Sequence, residues 1–165
     1  MPNNVVNIKI AGLGGQGVIK ASDILADAAF RAGHDVKKSE LHGMSQRGGS
    51  VSSDVRYGAQ VFSPMIPSGE TDFLLVLAPD QVENNLPALK SGGVLIKPDA
   101  VDESALPGKR SLNLALLGCL SQHLDLPEEA WLDAIRACFA ETAYAANLQA
   151  FRLGSRRGDI LSPAD

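Results

Sequence analysis

Alternating and helical patterns of apolar residues succeed one another along the first quarter of the chain. Residues 5–11 alternate apolar and polar side chains and stop at a glycine cluster, which predicts a strand and a tight turn. Between Gly17 and Gly33 the charged residues recur every three or four positions and leave Ile24 and Leu25 on a buried face. This spacing predicts a helix, and residues 36–40 predict a second strand.

The middle of the chain predicts more strands than helices. Residues 51–57 alternate strictly, and Gly58 turns the chain into residues 60–63 with no helix-length segment between, which predicts a half-buried hairpin and a mixed sheet. Residues 73–78 form a continuous apolar run, typical of a strand buried on both faces. A short helix at 80–90 and a strand at 94–97 would complete a parallel strand–helix–strand unit.

The last part of the chain predicts helices only. Beyond a linker at residues 98–108, Ser111 is a candidate cap for one helix, and Pro127 followed by two glutamates is typical of a first helical turn. A final helix at 142–153 is predicted to end at Gly154. We therefore expect an α/β fold of one Rossmann-like domain, residues 1–154, with an open mixed sheet, flanking helices and a helical C-terminal segment. Residues 155–165 are expected to form a flexible tail.

Composition and charge exclude several classes of function. The 165 residues include 15 Lys and Arg against 19 Asp and Glu, a net charge of −4 that gives no basic footprint for nucleic acid or for a membrane surface. No apolar run approaches the roughly 20 residues that span a bilayer, and the N-terminus has no export signal, so we expect a cytoplasmic protein. Cys119 and Cys138 are interpreted as buried thiols, and no residues have metal-ligand spacing.

The glycine cluster GLGGQG, residues 12–17, is the first candidate site, and we call it the glycine loop. It lies between a predicted strand and a predicted helix, where free backbone amides and the helix dipole favour an anion such as phosphate or carboxylate. The alternative is that the glycines only permit a tight turn. Nicotinamide binding would use Glu40 for the ribose, but the bulky Gln16 and the short chain argue against it. The candidate residues are Gly12, Gly14, Gly15, Gln16 and Gly17.

Residues 41–50, which we call the second loop, gather polar side chains among glycines after the second predicted strand. This position predicts that the loop lies at the carboxyl edge of the sheet, beside the glycine loop. Arg47 is suited to a bidentate contact with a carboxylate or phosphate, or to an ion pair with Glu40 or Asp54. His42 is a candidate donor or acceptor, although a structural role is equally open. The candidate residues here are Glu40, His42, Gly43, Gln46, Arg47, Gly48 and Gly49.

Three stretches resemble a known enzyme family. GLGGQGV, VKKSELHGMSQRGGSV and SPMIPSGETDFLL together are similar to the gamma subunit or domain of 2-oxoacid:ferredoxin oxidoreductases, most of all the beta subunit of the indolepyruvate type. The NLQAFRLG segment near the C-terminus resembles the family's ending. The resemblance runs from about Val6 to Gly154, and the two loop motifs together make it specific.

The resemblance implies an accessory subunit in a complex that converts a 2-oxoacid, such as pyruvate or indolepyruvate, and coenzyme A into acyl-CoA, carbon dioxide and reduced ferredoxin. Thiamine diphosphate, magnesium and the iron–sulfur clusters would be held by other subunits, and no residue of this chain would be catalytic. The glycine loop and the second loop would then face coenzyme A or the subunit interface. The alternatives are a free-standing NAD(P)-binding oxidoreductase and a pure interaction module.

Overall fold

A five-stranded mixed sheet forms the centre of the molecule. The computed structural model describes residues 4–43 and 49–160, with side chains as far as residue 156. The strands are β1 (Val6–Leu13), β2 (Asp35–His42), β3 (Ser50–Gly58), β4 (Thr71–Val76) and β5 (Leu89–Ile96). Their order in the sheet is β2-β3-β1-β4-β5. The strand β3 is antiparallel to both of its neighbours, whereas β1, β4 and β5 are parallel, so the predicted mixed α/β sheet is confirmed.

The long helices lie in two layers over one face of the sheet. They are α1 (Val18–Arg31), α3 (Leu112–Ser121), α4 (Glu128–Cys138) and α5 (Glu141–Ile160), and a short α2 (Val82–Asn85) lies elsewhere. Helices α1 and α3 pack on the sheet, α4 packs on α1, and α5 packs on α3. The strand residues Ile8, Ile10 and Leu75 are fully buried beneath these helices and share one apolar core with them.

The opposite face of the sheet has a much smaller apolar cluster, built on Ala11, Leu74 and Val76. It is covered by residues 79–88, where a short helix was predicted over 80–90. The structure instead has two 3₁₀ turns flanking α2, and residues 89 and 90 already belong to β5. Pro87 has no amide hydrogen to donate within a helix, which accounts for the interruption.

Residues 60–63 do not form the predicted hairpin strand. Both edges of β3 are already paired, with β2 on one side and β1 on the other, so no ladder position is left for a further strand. The segment is instead an irregular connection, held by the Arg56 guanidinium, which donates to the carbonyls of Ser63 and Met65 at 2.8 and 3.3 Å. The hairpin of this region is β2–β3.

The last helix does not end at Gly154, as the sequence predicted, but continues to Ile160. Gly154 has a packing role, because a Cβ atom there would overlap the backbone oxygen of Ala115 in α3. Gly118 of α3 is equally crowded by the backbone of Phe151. Glycine therefore lets two helices approach closely here, and it does not cap α5. The flexible tail at 155–165 stays a prediction, with 155–160 described as the last turns of α5.

The two thiols and the predicted cap also differ in detail from expectation. Cys119 and Cys138 are each only partly buried, whereas the sequence predicted buried thiols. Burial raises the pKa of the Cys138 thiol, which keeps it protonated at neutral pH. Ser111 does precede α3, yet its hydroxyl donates to the carbonyl of Gly108 at 2.6 Å and makes no cap hydrogen bond.

Candidate functional site

The glycine loop and the second loop meet at one edge of the sheet. Since β1 and β2 are each antiparallel to β3, they run in the same direction, and their carboxyl ends reach the same edge. The amide of Gly14 donates to the carbonyl of Gly49 at 2.9 Å, and the amide of Gly43 donates to Ser50 at 2.6 Å. The predicted contact between the two loops is therefore confirmed.

The glycine loop is shaped by backbone conformations that favour glycine. Gly15 and Gly17 have φ angles of 89° and 85°, in the left-handed region. Gly17 is the residue that precedes α1, and its carbonyl accepts the first helical hydrogen bond, from Ala21, at 3.0 Å. Gly12, in contrast, belongs to β1, where it pairs with Val51 of β3. The loop proper is thus residues 14–17, and it delivers the chain into the start of α1.

The side chain of Gln16 stabilises this turn through two hydrogen bonds to the backbone. Its side-chain Oε1 accepts a hydrogen bond from the amide of Leu13 at 2.7 Å. Its Nε2 donates to the carbonyl of Leu77, which follows β4, at 3.4 Å. The side chain therefore occupies the inside of the turn and uses a backbone amide that an anion would otherwise reach. Gln16 therefore stabilises the loop and reduces the number of backbone amides that a bound anion could reach.

Asn113 is a contributor to this site that the sequence analysis missed. It is 4% exposed within the apolar run of α3, and its Nδ2 donates to the carbonyl of Gly17 at 3.2 Å. A Cβ atom on Gly17 would collide with that same amide nitrogen. A lone asparagine in an otherwise apolar helix was the available signal, because buried polar side chains need partners.

A cleft of about 400 Å³ lies where the two loops meet α1. His42 lines one side of it, and its side chain is 63% exposed. Lys20, in the first turn of α1, also lines it, and its ammonium lies 4.9 Å from the ring centroid of Phe139. The first turn of α1 contains no acidic residue. The lining thus includes a cationic residue, an imidazole and the positive end of a helix, which together favour an anionic group. Its remaining lining residues are Leu13, Gly14, Gly15, Gly17, Val18, Ile19 and Val51.

Glu40 does not line this cleft but lies next to it, with its Oε2 3.9 Å from the Nε2 of His42, and it belongs to an ion-pair network. Lys38 bridges Glu40, at 2.7 Å, and Asp23 of α1, at 2.5 Å, and so ties the edge strand β2 to the helix. The hydrogen bond from Lys38 holds the pKa of the Glu40 carboxyl below its ordinary value. Burial opposes the charge of Lys38, but its hydrogen bonds to Asp23 and Glu40 outweigh that effect and raise its pKa. This network stabilises the edge of the sheet.

The strand order also argues against the nicotinamide interpretation of Glu40. A ribose-binding acid belongs at the end of a strand adjacent to β1, but here β3 lies between β1 and β2. Two strand spacings, roughly 10 Å in total, therefore separate Glu40 from the strand that precedes the glycine loop. Its carboxylate is moreover engaged by Lys38.

Part of the predicted site falls outside the described residues. Gln46, Arg47 and Gly48 belong to the segment 44–48, and so does the proposed contact of Arg47 with Glu40 or Asp54. Asp54 itself is paired with Lys9 at 2.5 Å. Within residues 4–43 and 49–156, no cluster of three or more His, Cys, Asp or Glu could hold a metal ion.

A larger cavity, of about 700 Å³, opens at the opposite edge of the sheet. It is lined by Tyr57, by two histidines and by acidic side chains that include Asp72 and Asp125. Burial, together with the Asp125 and Asp72 carboxylates, raises the pKa of Tyr57 to about 12. None of the loop residues singled out from the sequence lines this cavity.

The match to known proteins covers most of the chain. Residues 7–107 match the protein family described as pyruvate ferredoxin/flavodoxin oxidoreductase. The chain belongs to this family. It is 33% identical to the indolepyruvate oxidoreductase subunit IorB of Thermococcus kodakarensis, over 90% of this chain and 93% of that protein. A shorter alignment, 44% identical, relates 54% of this chain to 44% of the IorB subunit of Pyrococcus horikoshii.

Two solved structures have folds similar to that of this chain. The gamma subunit of a keto/oxoacid ferredoxin oxidoreductase from Geobacter sulfurreducens superposes with a TM-score of 0.79, at 24% identity, over 94% of this chain and 99% of that one. A chain of the 2-oxoglutarate:ferredoxin oxidoreductase of Magnetococcus marinus, solved with 2-oxoglutarate, coenzyme A and succinyl-CoA bound, superposes with a TM-score of 0.83 at 22% identity. That match covers 98% of this chain but 32% of the other, so the fold recurs there within a longer polypeptide.

No helix in the described part of the chain is long and apolar enough to cross a bilayer.

Proposed function

We propose that this chain is the accessory, gamma-type subunit of a 2-oxoacid:ferredoxin oxidoreductase complex, most like the indolepyruvate type. The observation that carries the proposal is the 33% identity to an indolepyruvate oxidoreductase subunit over nearly the full length of both chains. The shared fold with a gamma subunit of the same enzyme class supports it. The complex would oxidatively decarboxylate an arylpyruvate or pyruvate with coenzyme A and reduce ferredoxin, in the cytoplasm.

In this proposal the redox chemistry takes place on partner subunits. Thiamine diphosphate would activate the oxoacid carbon there, and iron–sulfur clusters, which need four ligands each and mostly thiolates, would supply the electron transfer to ferredoxin. The chain has two cysteines, and they lie on different helices, α3 and α4. Its own residues would therefore position partners and substrates and would not bind the clusters.

We assign the cleft between the two loops a role in binding an anionic group of coenzyme A. The amides at the start of α1 and the exposed His42 imidazole give the cleft hydrogen-bond donors, and the nearby Lys20 adds positive charge. Gln16 keeps the loop in one conformation, so the donors are oriented before the ligand arrives. Arg47, in the segment outside the described residues, stays a candidate for a bidentate contact to the same group.

Deletion of the gene tests the subunit assignment. The extract of a strain that lacks this chain should lose coenzyme A-dependent reduction of a viologen dye by indolepyruvate, and the restored gene should recover it. Activity with pyruvate and 2-oxoglutarate, measured in the same extracts, shows which oxoacid depends on the chain. Undiminished activity with every oxoacid in the deletion strain would contradict the proposal.

A matched pair of histidine variants tests the role of the cleft. In the assembled complex, His42→Ala should raise KM for coenzyme A severalfold, because it removes a polar contact to the anion, and leave KM for the oxoacid unchanged. His123→Ala is the control, since His123 lies in the cavity at the opposite edge of the sheet. Equal KM values for coenzyme A in His42→Ala, His123→Ala and the parent would show that His42 does not contact coenzyme A.

A further inference from the structure

The outer edge of β2 is an unpaired edge of the sheet. The strand stands first in the sheet order, and within the described residues it pairs only with β3. It has eight residues, more than the roughly five or six of a typical strand. Helix α1 packs more extensively on β3 than on β2, and the last three residues of β2 are exposed. A strand edge of this length is a template for pairing with a further strand.

The backbone groups that face outward belong to alternate residues of β2. The amide of Gly43 donates to the carbonyl of Ser50, and these two residues continue the register of β2 with β3, so they form a hydrogen-bonded pair. Such pairs alternate along an antiparallel ladder, and the odd-numbered residues of β2 therefore bond to β3. The N–H and C=O groups left for a further strand are those of Val36, Lys38, Glu40 and His42.

A second copy of β2 fits this edge with opposite charges paired. Two identical antiparallel strands in one sheet are related by a two-fold axis normal to the sheet, so each residue pairs with one on the same face. A register centred on Ser39 places Lys38 of each copy opposite Glu40 of the other. It also places Val36 opposite His42, so that all the outward-facing residues lie in hydrogen-bonded pairs. Each Glu40 would then lie between its own Lys38, at 2.7 Å, and that of the other copy.

Charge disfavours the neighbouring registers. An axis at Lys37 or at Lys38 would place two ammonium groups opposite each other, and an axis at Glu40 would oppose two carboxylates. Like charges directly opposite each other on adjacent strands are destabilising, whereas opposite charges stabilise the pair. An axis nearer either end of β2 would pair fewer residues. The charges of β2 therefore prevent indiscriminate pairing at this edge and favour the register centred on Ser39.

Exposed apolar side chains border the same edge, on the face of the sheet away from the long helices. Leu41, Phe62 and Met65 are 72%, 80% and 67% exposed. The connection that carries Phe62 and Met65 lies against β2, where the Ser39 hydroxyl donates to the Pro64 carbonyl at 3.4 Å. Leu41, two residues beyond Ser39, shares that face. Pairing centred on Ser39 would place the apolar side chains of both copies around one axis and remove part of their surface from water.

We propose that two copies of this chain associate through β2, antiparallel and centred on Ser39, so that their two five-stranded sheets become one continuous sheet. Backbone hydrogen bonds along the outward-facing residues supply the affinity, and the Lys38–Glu40 pairs between the copies set the register. A second copy is the partner that matches this edge, because the edge is complementary to itself. The proposal concerns the chain alone and does not rest on the proposed function.

An engineered disulfide tests the register. Ser39→Cys would place two thiols at the axis, in a non-hydrogen-bonded pair whose Cα atoms are about 4.5 Å apart, a distance that a disulfide spans. Mild oxidation of this full-length variant should convert most of it into a covalent dimer in non-reducing electrophoresis. Lys37→Cys is the matched control on the same face. Its two copies would lie four residues apart, roughly 13 Å, which is too far for a disulfide.

A charge reversal tests the pairing without a cross-link. Sedimentation equilibrium of the full-length parent should show a reversible dimer at micromolar concentrations. Glu40→Lys would place ammonium groups opposite each other across the axis and should weaken dimerisation about tenfold. Glu83→Lys makes the same change of charge on α2, away from β2, and should dimerise like the parent.

Four results would overturn the proposal. The first is a parent that stays monomeric at micromolar concentrations, and the second is a dimer that a folded Glu40→Lys variant leaves unchanged. The third is a Ser39→Cys variant that forms no more disulfide dimer than Lys37→Cys, and this comparison decides alone if Glu40→Lys does not fold. The fourth is a Ser39→Cys chain, isolated from its own cells, that is bridged to a different protein in place of a second copy.

Discussion

At the scale of single residues, the glycine loop shows what a motif can predict and what it cannot. The spacing of GLGGQG predicted a tight turn into a helix, and Gly15 and Gly17 adopt the left-handed conformations that such a turn needs. The residues that form hydrogen bonds with the loop lie far from it in the sequence. The Leu77 carbonyl accepts a hydrogen bond from Gln16, and the Asn113 amide donates one to the carbonyl of Gly17, across 61 and 96 residues of sequence. No local pattern carries that information.

Two glycine substitutions separate backbone strain from crowding in this loop. Gly15→Ala should destabilise the fold by about 1–2 kcal/mol, because alanine is strained at a positive φ but meets no atom within 4 Å. Gly17→Ala has nearly the same φ and in addition collides with Asn113, so its loss should be larger by about 1 kcal/mol or more. Urea unfolding of both variants measures the difference. Equal losses would show that Asn113 moves aside freely.

The raised pKa of Tyr57 predicts that the stability of the fold depends on pH in the alkaline range. Its folded pKa, about 12, lies above the ordinary value of 10.0. The neutral phenol therefore stabilises the fold below pH 10, and this contribution is lost as the pH rises through about 12. The chain has two tyrosines, so in Tyr144→Phe the absorbance near 295 nm should report Tyr57 alone. If Tyr57 in that variant titrated near pH 10 while the protein stayed folded, the result would contradict the burial of Tyr57.

At the scale of elements, the sequence predicted most strands and helices, but not their order in the sheet. Alternation in residues 51–57 predicted β3 correctly, because one of its faces is buried and the other is more polar. Alternation does not say which strands a strand pairs with, and the place of β3 between β2 and β1 depends on contacts across the sheet. The same limit produced the wrong hairpin at residues 60–63.

The close contact between α3 and α5 predicts that Gly154→Ala destabilises the protein, which is the opposite of what helix propensity alone predicts. Alanine is a better helix former than glycine by about 1 kcal/mol, so Gly154→Ala would stabilise an exposed helix. Here the new methyl group would overlap the backbone of Ala115, and we expect a net loss of about 1–3 kcal/mol. Gln149→Ala, at an exposed position of the same helix, should change stability by less than about 0.5 kcal/mol. A more stable Gly154→Ala protein would show that the helices can separate at no cost.

At the scale of the whole molecule, the fold class followed from the sequence more fully than the site did. The mixed sheet, the helical C-terminal segment and the contact between the two loops were all predicted. Glu40, predicted as a site residue, pairs with Lys38 in a network that stabilises the sheet edge, and its role in a site stays a prediction. The other partner of Lys38 is Asp23 of α1, and sequence spacing alone does not reveal this contact between a helix and the edge strand.

The central claim is that this chain works as a noncatalytic subunit of a 2-oxoacid:ferredoxin oxidoreductase. The most direct test is an anaerobic pull-down of the tagged chain from its own cells, with absorbance spectra and thiamine diphosphate content measured on the copurified material. We predict a larger brown partner that carries iron–sulfur clusters and thiamine diphosphate and that reduces ferredoxin with an arylpyruvate and coenzyme A. A chain that is recovered alone and colourless, from cells in which that activity is present, would contradict the claim.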